Sequence, residues 1–365
     1  MIKSFDEVFE DVTKLGVKIK TDEYHPIGKY QIIDQGQEAV AGYSDLEDGV
    51  FENVPAIVFG DHTRIVKYVD QPFFLGADGV KVLRSRFKDA NYRYLYYALK
   101  SVKIPNTGYN RHFKWLKEAK IYYPNSEEQS KIVSILDGIS SVIEHRQQEL
   151  QKLDELVKAR FVEMFGDPVT NSMGWPEALI GDNCFVTKLA GFEYTQYINY
   201  EDSGDVVMVK AQNVKNGKLN RKELSFISKE VSDSLPRSQL APGDVVMTYV
   251  GANIGDVAVI DKKYKYHLAP NVAKIRPDAE VYDSKCFMYM LMFLNSYIVR
   301  NSADTAKAAL GMDRIRKLNV FVPPIEIQRQ FSKFAEQIDK SKVVVQKALD
   351  EAQVLFDSLM QQYFG

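Results

Sequence analysis

The sequence predicts an α+β protein in which two globular domains are each followed by a long helix. Three observations support this prediction. The second half of the chain repeats the first at a constant offset of 199 positions, both copies carry an apolar stripe at helical spacing, and the segments before them contain short β-rich runs that end in glycine. A length of 365 residues suits two domains of ordinary size.

The repeat is visible first in Phe165-Gly166, which returns as Phe364-Gly365 at the end of the sequence. The register holds without a gap over about 50 residues, and unrelated segments do not keep one register while also preserving apolar character. The matched pairs are Leu116/Ile315, Lys117/Arg316, Tyr122/Phe321, Pro124/Pro323, Glu127/Glu326, Gln129/Gln328, Ile139/Ile338, Gln147/Gln346, Leu150/Leu349 and Leu156/Leu355.

Each repeated segment has the pattern of a long amphipathic helix, because its apolar residues recur at steps of three, four and seven. Each helix has about 40 residues, and a stripe of that length needs a partner. The other copy is the obvious partner; two unrelated surface helices are the alternative. The stripe breaks at Arg146 and at Lys342. The expected interface residues are Ile132, Leu136, Ile139, Ile143, Leu150, Leu153, Val157, Phe331, Ala335, Ile338, Leu349, Ala352 and Phe356.

A weaker repeat precedes each helix at an offset of 193, where Lys81 meets Lys274 and Tyr96 meets Tyr289. The change from 193 to 199 predicts about six additional residues in the second copy, within 294–308. The predicted organisation is therefore a first domain at 1–123, a central helix at 124–166, a second domain at 167–322 and a final helix at 323–365.

The charge distribution says more than the net charge of −2. Residues 1–63 carry 5 basic and 13 acidic side chains (−8), and residues 64–120 carry 13 basic and 4 acidic ones (+9). Such segregation can focus a positive field on one face and attract a polyanion. The alternative is that both signs mingle on the folded surface.

Other classes of protein fit less well. Two distant cysteines exclude a disulfide framework and a thiolate zinc site and fit a reducing cytoplasm. The longest apolar run, 286–299, is too short to cross a membrane. No P-loop or metal-spaced histidines occur, and Val322–Ile325 (VPPI) lacks the acidic or amide residue and the aromatic of the Asp/Asn-Pro-Pro-aromatic motif of adenine methyltransferases. We therefore expect no catalytic and no metal-binding residues.

Two stretches resemble the DNA-specificity subunits of type I restriction–modification systems. They are residues 113–166, beginning FKWLKEAKIYYPNSEEQ, and residues 312–365, beginning MDRIRKLNVFVPPIEIQ; each contains a Pro-x-x-x-x-Gln segment that opens a long helix. The resemblance implies that the two helices form an antiparallel coiled coil. The two target-recognition domains are then related by a pseudo-twofold axis, and each reads half of a bipartite site in double-stranded DNA.

The resemblance also implies partners. The helices set the spacing of the half-sites and dock two methyltransferase subunits, which bind S-adenosylmethionine and methylate adenine at N6; restriction subunits then join. The chain itself is expected to be non-catalytic, without a cofactor, and cytoplasmic. A coiled-coil scaffold without a DNA role, a fused enzyme, and a subunit of a modification-only methyltransferase are the alternatives.

Candidate DNA contacts are basic side chains for phosphates, and arginine or amide side chains for base edges. The alternative for each is a solvated loop side chain. In the first domain they are Gln35, Gln37, Arg64, Lys81, Asn110, Arg111, Lys114 and Lys117. In the second domain they are Lys210, Gln212, Asn213, Lys215, Asn253, Asn271, Arg314 and Lys317.

Overall fold

A computed structural model describes residues 1–76, 78–302 and 309–365 of the chain. The chain divides into two compact units: the first unit comprises Met1–Gln148 and Gln346–Gly365, and the second unit comprises Glu149–Val345. Each long helix therefore contributes one segment to each unit. Residues 303–308, within the stretch where the sequence predicts additional residues, lie outside the described residues.

Among the described residues, the first unit contains nine strands, three shorter helices and one segment of each long helix. The strands are β1 (Ile2–Ser4), β2 (Phe9–Asp11), β3 (Tyr30–Ile33), β4 (Gly42–Ser44), β5 (Ala56–Gly60), β6 (Val66–Val69), β7 (Phe73–Leu75), β8 (Val80–Ser85) and β9 (Lys120–Tyr122). The helices are α1 (Phe5–Val8), α2 (Tyr92–Lys100), α3 (Phe113–Lys117) and α4 (Ser126–Phe165).

The second unit has the same order of elements with a few additions. Its strands are β10 (Glu177–Leu179), β11 (Cys184–Lys188), β12 (Val206–Val209), β13 (Val214–Lys215), β14 (Lys218–Leu219), β15 (Phe226–Ile227), β16 (Gln239–Leu240), β17 (Val245–Thr248), β18 (Val257–Val259), β19 (Lys265–Leu268), β20 (Val272–Pro277) and β21 (Asn319–Phe321). Its helices are α5 (Ile180–Asn183), α6 (Gly191–Tyr197), α7 (Lys229–Ser234), α8 (Ser284–Phe293), α9 (Asn295–Ser302), α10 (Met312–Arg316) and α11 (Ile325–Phe364).

The sheets of the two units share one topology. An antiparallel sheet has the order β2-β8-β5-β6 in the first unit and β11-β20-β17-β18 in the second. A second sheet has the order β4-β3-β7 in the first unit and β15-β12-β19-β16 in the second, where β16 is an additional strand. The pairs β3–β7 and β12–β19 are parallel. The α+β class and the internal duplication predicted from the sequence are therefore confirmed.

The start of each long helix is fixed in the same way in both repeats. The strand before the helix pairs with the first strand of its unit, β9 with β1 and β21 with β10. The buried Gln129 side chain then donates a hydrogen bond of 2.9 Å from Nε2 to the carbonyl of Pro124, and Gln328 donates one of 2.8 Å to Pro323. Because both repeats have the same Pro-x-x-x-x-Gln spacing, the glutamine side chain supplies a hydrogen bond to the proline carbonyl in each.

In the first unit, the N-terminal part of α4 packs with the C-terminal part of α11. Ile132, Leu136 and Phe356 are buried in one cluster with α2, where the Phe356 ring lies 6.1 Å from that of Tyr97. The remaining predicted interface residues of these helix parts, Ile139, Ile143, Leu349 and Ala352, are half-buried.

In the second unit, the C-terminal part of α4 packs with the N-terminal part of α11, and the helices run antiparallel. The residue numbers show the direction, since Asp154 pairs with Lys342 whereas Phe161 and Phe165 contact Phe331 at 5.3 and 5.7 Å between ring centroids. The predicted interface residues Val157, Phe331 and Ala335 are buried, and Leu150, Leu153 and Ile338 are half-buried.

The sequence prediction omitted two central residues of this interface and misplaced one. Phe161 and Phe165 are fully buried, and both continue the stripe from Val157 in steps of four. Lys342, interpreted as a break in the stripe, is 6% exposed and forms an ion pair with Asp154. A lysine can occupy this apolar position because its ammonium reaches a carboxylate at the edge of the interface.

Candidate nucleic-acid interface

In the first unit, three loops meet beside the start of α3. We call residues 60–65, 78–79 and 107–112 the first loop cluster. The backbone joins them, because the amide of Asp61 donates to the carbonyl of Gly79 at 2.7 Å and the amide of His112 donates to the carbonyl of Asp61 at 2.7 Å. Residues that are distant in sequence are therefore held within one loop surface.

Two buried side chains fix this arrangement. His112 is fully buried, with its Nδ1 3.0 Å from the Asp61 carbonyl, and the Asp61 carboxylate accepts a hydrogen bond of 2.7 Å from the Phe113 amide at the first turn of α3. A carboxylate there also complements the positive end of the helix. Neither residue was singled out from the sequence.

Four of the predicted contact residues lie in the first loop cluster or bind to it. Arg64, Asn110 and Arg111 belong to it, and Gln35 joins it through both ends of its amide. Gln35 Nε2 donates to the Asp78 carbonyl at 3.0 Å, and its Oε1 accepts from the His62 amide at 3.2 Å. Both ends of this amide are thus engaged in ordering the loops.

The Arg64 side chain is also held by a hydrogen bond within the unit, whereas the Arg111 side chain is exposed to solvent. Arg64 has a φ of 64° and donates from Nη1 to the Ile104 carbonyl at 3.3 Å. Arg111 is exposed, and its charge is close enough to Asp78 to help lower the pKa of that carboxyl, after the larger effects of the hydrogen bond and charge of Lys18.

Three lysines lie around α3. Lys114 lies over the Trp115 ring at 4.2 Å, and Lys117 and Lys81 lie over the Phe113 ring at 5.4 and 5.1 Å.

Lys81 also forms an ion pair of 3.0 Å with Asp11. Burial by itself would raise the pKa of Asp11, but hydrogen bonds from Thr13 and Lys81 outweigh burial and lower it. The exposed lysines Lys114 and Lys117 are therefore better placed than Lys81 to meet a phosphate. Gln37 is exposed in the loop after β3.

The second unit contains the same loop arrangement. The amide of Tyr249 donates to the carbonyl of Asn271 at 2.9 Å, and the amide of Leu310 donates to the carbonyl of Tyr249 at 2.8 Å. We call residues 249–255, 270–271 and 309–311 the second loop cluster. It contains the exposed candidates Asn253 and Asn271. The sequence did not reveal this correspondence, because backbone bonds carry it while the side chains differ.

Other candidates of the second unit lie outside that cluster. Asn213 is 3% exposed; its Nδ2 donates to the carbonyls of Asn220 and Glu223 at 2.9 and 3.1 Å, and its Oδ1 accepts from the Lys210 amide at 3.0 Å. Because its amide is fully engaged inside the unit, the Asn213 side chain is less suited to a base edge than the exposed amides of the second loop cluster.

The remaining second-unit candidates are more accessible. Lys210 donates to Ser225 Oγ at 2.9 Å, and the exposed Gln212 donates to a Glu223 carboxylate oxygen at 3.2 Å. The other three, Lys215 on β13, Arg314 on α10 and Lys317 just after it, are also exposed.

Within residues 1–76, 78–302 and 309–365, no group of three or more histidine, cysteine or acidic side chains is arranged to hold a metal ion. In the same ranges, no helix combines the length and the apolar character needed to cross a membrane.

A family model for the type I restriction modification DNA specificity domain matches residues 1–155 and 180–352. The chain belongs to this family. One matched stretch falls in each copy of the internal repeat, which agrees with two specificity domains in one chain. The resemblance described from the two helical stretches is thus confirmed over most of the sequence.

Members of the family that resemble this chain occur in Escherichia coli and Methanocaldococcus jannaschii. It is 21% identical over 278 residues to the type I restriction enzyme EcoBI specificity subunit of Escherichia coli, covering 67% of this chain and 57% of that protein. It is also 21% identical over 373 residues to a putative type I restriction enzyme specificity subunit, MjaX, of Methanocaldococcus jannaschii, covering 93% of this chain and 81% of that protein. The match therefore spans less than two thirds of the Escherichia coli protein.

The fold also matches a solved structure. The crystal structure of the type I restriction-modification system S subunit from M. genitalium aligns with a TM-score of 0.62 at 18% identity, covering 100% of this chain and 96% of that one. The likeness confirms the fold of alternating globular units and long helices.

Proposed function

We propose that the chain is the non-catalytic DNA-specificity subunit of a type I restriction–modification complex. In this function each unit reads one half of a bipartite site in double-stranded DNA. The observation that carries the proposal is the recurrence of one loop cluster, joined by the same backbone hydrogen bonds, in both units of a duplicated chain. Two similar loop surfaces with different side chains suit two different half-sites.

The side chains of the loop clusters and of the adjoining α3 suit two kinds of contact with DNA. The exposed Arg111, Lys114 and Lys117 are suited to phosphates, which supply most of the affinity and make it dependent on salt. Amides such as Asn253 and Asn271 are suited to base edges, which supply specificity.

The two long helices are proposed to set the gap between half-sites and to dock two methyltransferase subunits. Leu156 and Leu355 occupy the same position in the two repeats and are 46% and 51% exposed. Val343 and Val344 are 69% and 70% exposed. Exposed apolar side chains on long helices favour a protein partner over solvent. S-adenosylmethionine is proposed to bind to the methyltransferase partner, and restriction subunits to join in the cytoplasm.

The proposal is tested by co-expressing the chain with an adenine methyltransferase encoded beside it, followed by methylome sequencing. We expect N6-methyladenine at one bipartite motif, which disappears when the chain is omitted. Methylation that is unchanged without the chain, or its complete absence with both proteins present, would contradict the proposal and favour a scaffold without a DNA role.

Arg111→Ala then distinguishes the two kinds of contact. Loss of a base contact costs about 1–3 kcal/mol and relaxes one position of the motif, whereas loss of a phosphate contact weakens all sequences alike and lowers the salt dependence. Unchanged DNA binding by the assembled methyltransferase would show that the loop was wrongly chosen. Lys262→Ala is the matched control, because it removes an exposed basic side chain in the turn between β18 and β19, outside both loop clusters.

A further inference from the structure

An aromatic pair stands out on the first loop cluster. Tyr109 is 87% exposed, and its ring lies parallel to that of His62, with centroids 4.5 Å apart and planes inclined by 5°. One ring face of Tyr109 is covered by the imidazole and the other is open. We propose that Tyr109 is a specificity-determining residue that contacts the methyl group of a thymine in the major groove of the first half-site.

The pair is held in place before any DNA arrives. His62 Nδ1 lies 3.2 Å from the carbonyl of Asn110, and the His62 amide donates to Gln35. Asn110 in turn donates from its side chain to the carbonyl of Thr107, whose hydroxyl lies 3.4 Å from Nε2 of the buried His112. Because the loop is fixed on both sides of Tyr109, little conformational freedom is lost when the ring meets a ligand.

The combined thickness of the stacked Tyr109 and His62 rings indicates which groove of the DNA can admit them. Two rings with centroids 4.5 Å apart occupy about 8 Å once their van der Waals surfaces are added. The minor groove is about 6 Å wide and the major groove about 12 Å wide, so only the major groove admits the stacked pair. The rise of about 3.4 Å between successive base pairs also prevents the pair from intercalating as a unit.

The chemistry of the open ring face selects the base. Thymine is the base whose major-groove edge carries a methyl group, and an apolar surface reads that group by direct contact. The neighbouring Arg111 is exposed and supplies a positive charge for a nearby phosphate. Burying one methyl group against the ring is expected to strengthen binding about fourfold.

This inference rests on the proposed function, and its experiment keeps the two apart. After the motif has been mapped, the complete complex with its methyltransferase is bound to duplexes in which each thymine of the first half-site is replaced in turn by deoxyuridine. The wild-type complex is expected to lose about fourfold in affinity at one position. Tyr109→Ala should bind the thymine duplex more weakly and lose nothing further with deoxyuridine there.

Two further variants serve as controls. Tyr109→Phe keeps the ring and should keep the sensitivity to deoxyuridine. Tyr264→Ala removes a tyrosine that is 39% exposed in the turn before β19, at the opposite end of that strand from the second loop cluster, and should leave the first half-site unchanged.

Two results would overturn the inference while leaving the proposed function intact. One is a first half-site without thymine on either strand. The other is a Tyr109→Ala complex that keeps both the wild-type affinity and the wild-type response to deoxyuridine while the second half-site is still discriminated. A wild-type complex that discriminates no DNA sequence would instead overturn the proposed function, and the inference with it.

Discussion

The ion pair between Lys342 and Asp154 in the second unit has two very unequal partners. The Lys342 side chain is 7% exposed and the Asp154 side chain is 73% exposed. Removing either residue breaks the same contact, but the group left behind is buried in one case and solvated in the other. We therefore expect the two single substitutions to have unequal effects on the free energy of unfolding.

Asp154→Ala leaves a buried ammonium without this partner, which costs about 1–3 kcal/mol. Lys342→Met removes the charge, keeps an unbranched side chain in the apolar interface, and returns Asp154 to water. An exposed carboxylate gains only about 0–1 kcal/mol from an ion pair, so this variant should lie within about 1 kcal/mol of wild type. The double variant should be about as stable as Lys342→Met alone.

The measurement uses the two tryptophans, since Trp115 lies in the first unit and Trp175 in the second. In a Trp115→Phe background, Trp175 fluorescence reports unfolding of the second unit alone. Urea is preferred to guanidinium because it does not change the ionic strength. A loss of about 2 kcal/mol should lower the midpoint by about 1 M for a urea m-value near 2 kcal/mol/M.

Glu155→Ala is the control, because it removes a neighbouring exposed carboxylate from the same helix. If Lys342→Met were more destabilising than Asp154→Ala, the attraction between the charges would outweigh the burial of the ammonium, and the reasoning would be refuted.

Three further predictions concern the second unit and the long helices. Gln328→Met should cost about 1–3 kcal/mol, measured by the same fluorescence assay, because it leaves buried backbone groups without the hydrogen bonds of the Gln328 amide; an unchanged midpoint would contradict this. Burial raises the pKa of the Cys184 thiol to about 12 and that of Cys286 well above its ordinary value. The raised pKa disfavours the reactive thiolate, and Cys286 is also fully buried, so both cysteines should react more slowly with a thiol reagent in the folded chain than after unfolding; equally rapid reaction of the folded chain would contradict this. One heptad inserted into each long helix adds about 10 Å, and should widen the gap between methylated half-sites by about three base pairs without changing either half-site; a constant gap in the methylome would show that the helices do not set the spacing.

The helices were predictable from the sequence because one physical pattern determines them. The apolar stripe and the repeat together located Leu136, Val157, Phe331 and Phe356, all of which are buried. The same reasoning failed at Lys342, because a pattern of residue types does not show that a lysine can bury its aliphatic stem and still reach a carboxylate.

The loops were less predictable because backbone contacts between distant residues organise them. Asn213 has an amide of the kind that can bind a base edge, but it is buried and its amide donates to two backbone carbonyls within the unit. His62 and Tyr109 are 47 positions apart, and nothing in either segment indicates that their rings stack. Composition did single out the segment containing Asn110 and Arg111, which lies in the first loop cluster, because basic and amide side chains occur together there; its contact with DNA stays a prediction. The partners of the chain remain predictions.

The first unit is assembled from two separate stretches of chain, and this has a consequence during protein synthesis. Phe356 and Phe364, which cover Tyr97 and Tyr94 in its core, leave the ribosome only after every residue of the second unit has been made. Domains ordinarily finish folding in the order in which they are synthesised. Here the unit that begins first is completed last, and its apolar helix surface stays open to other proteins in the meantime.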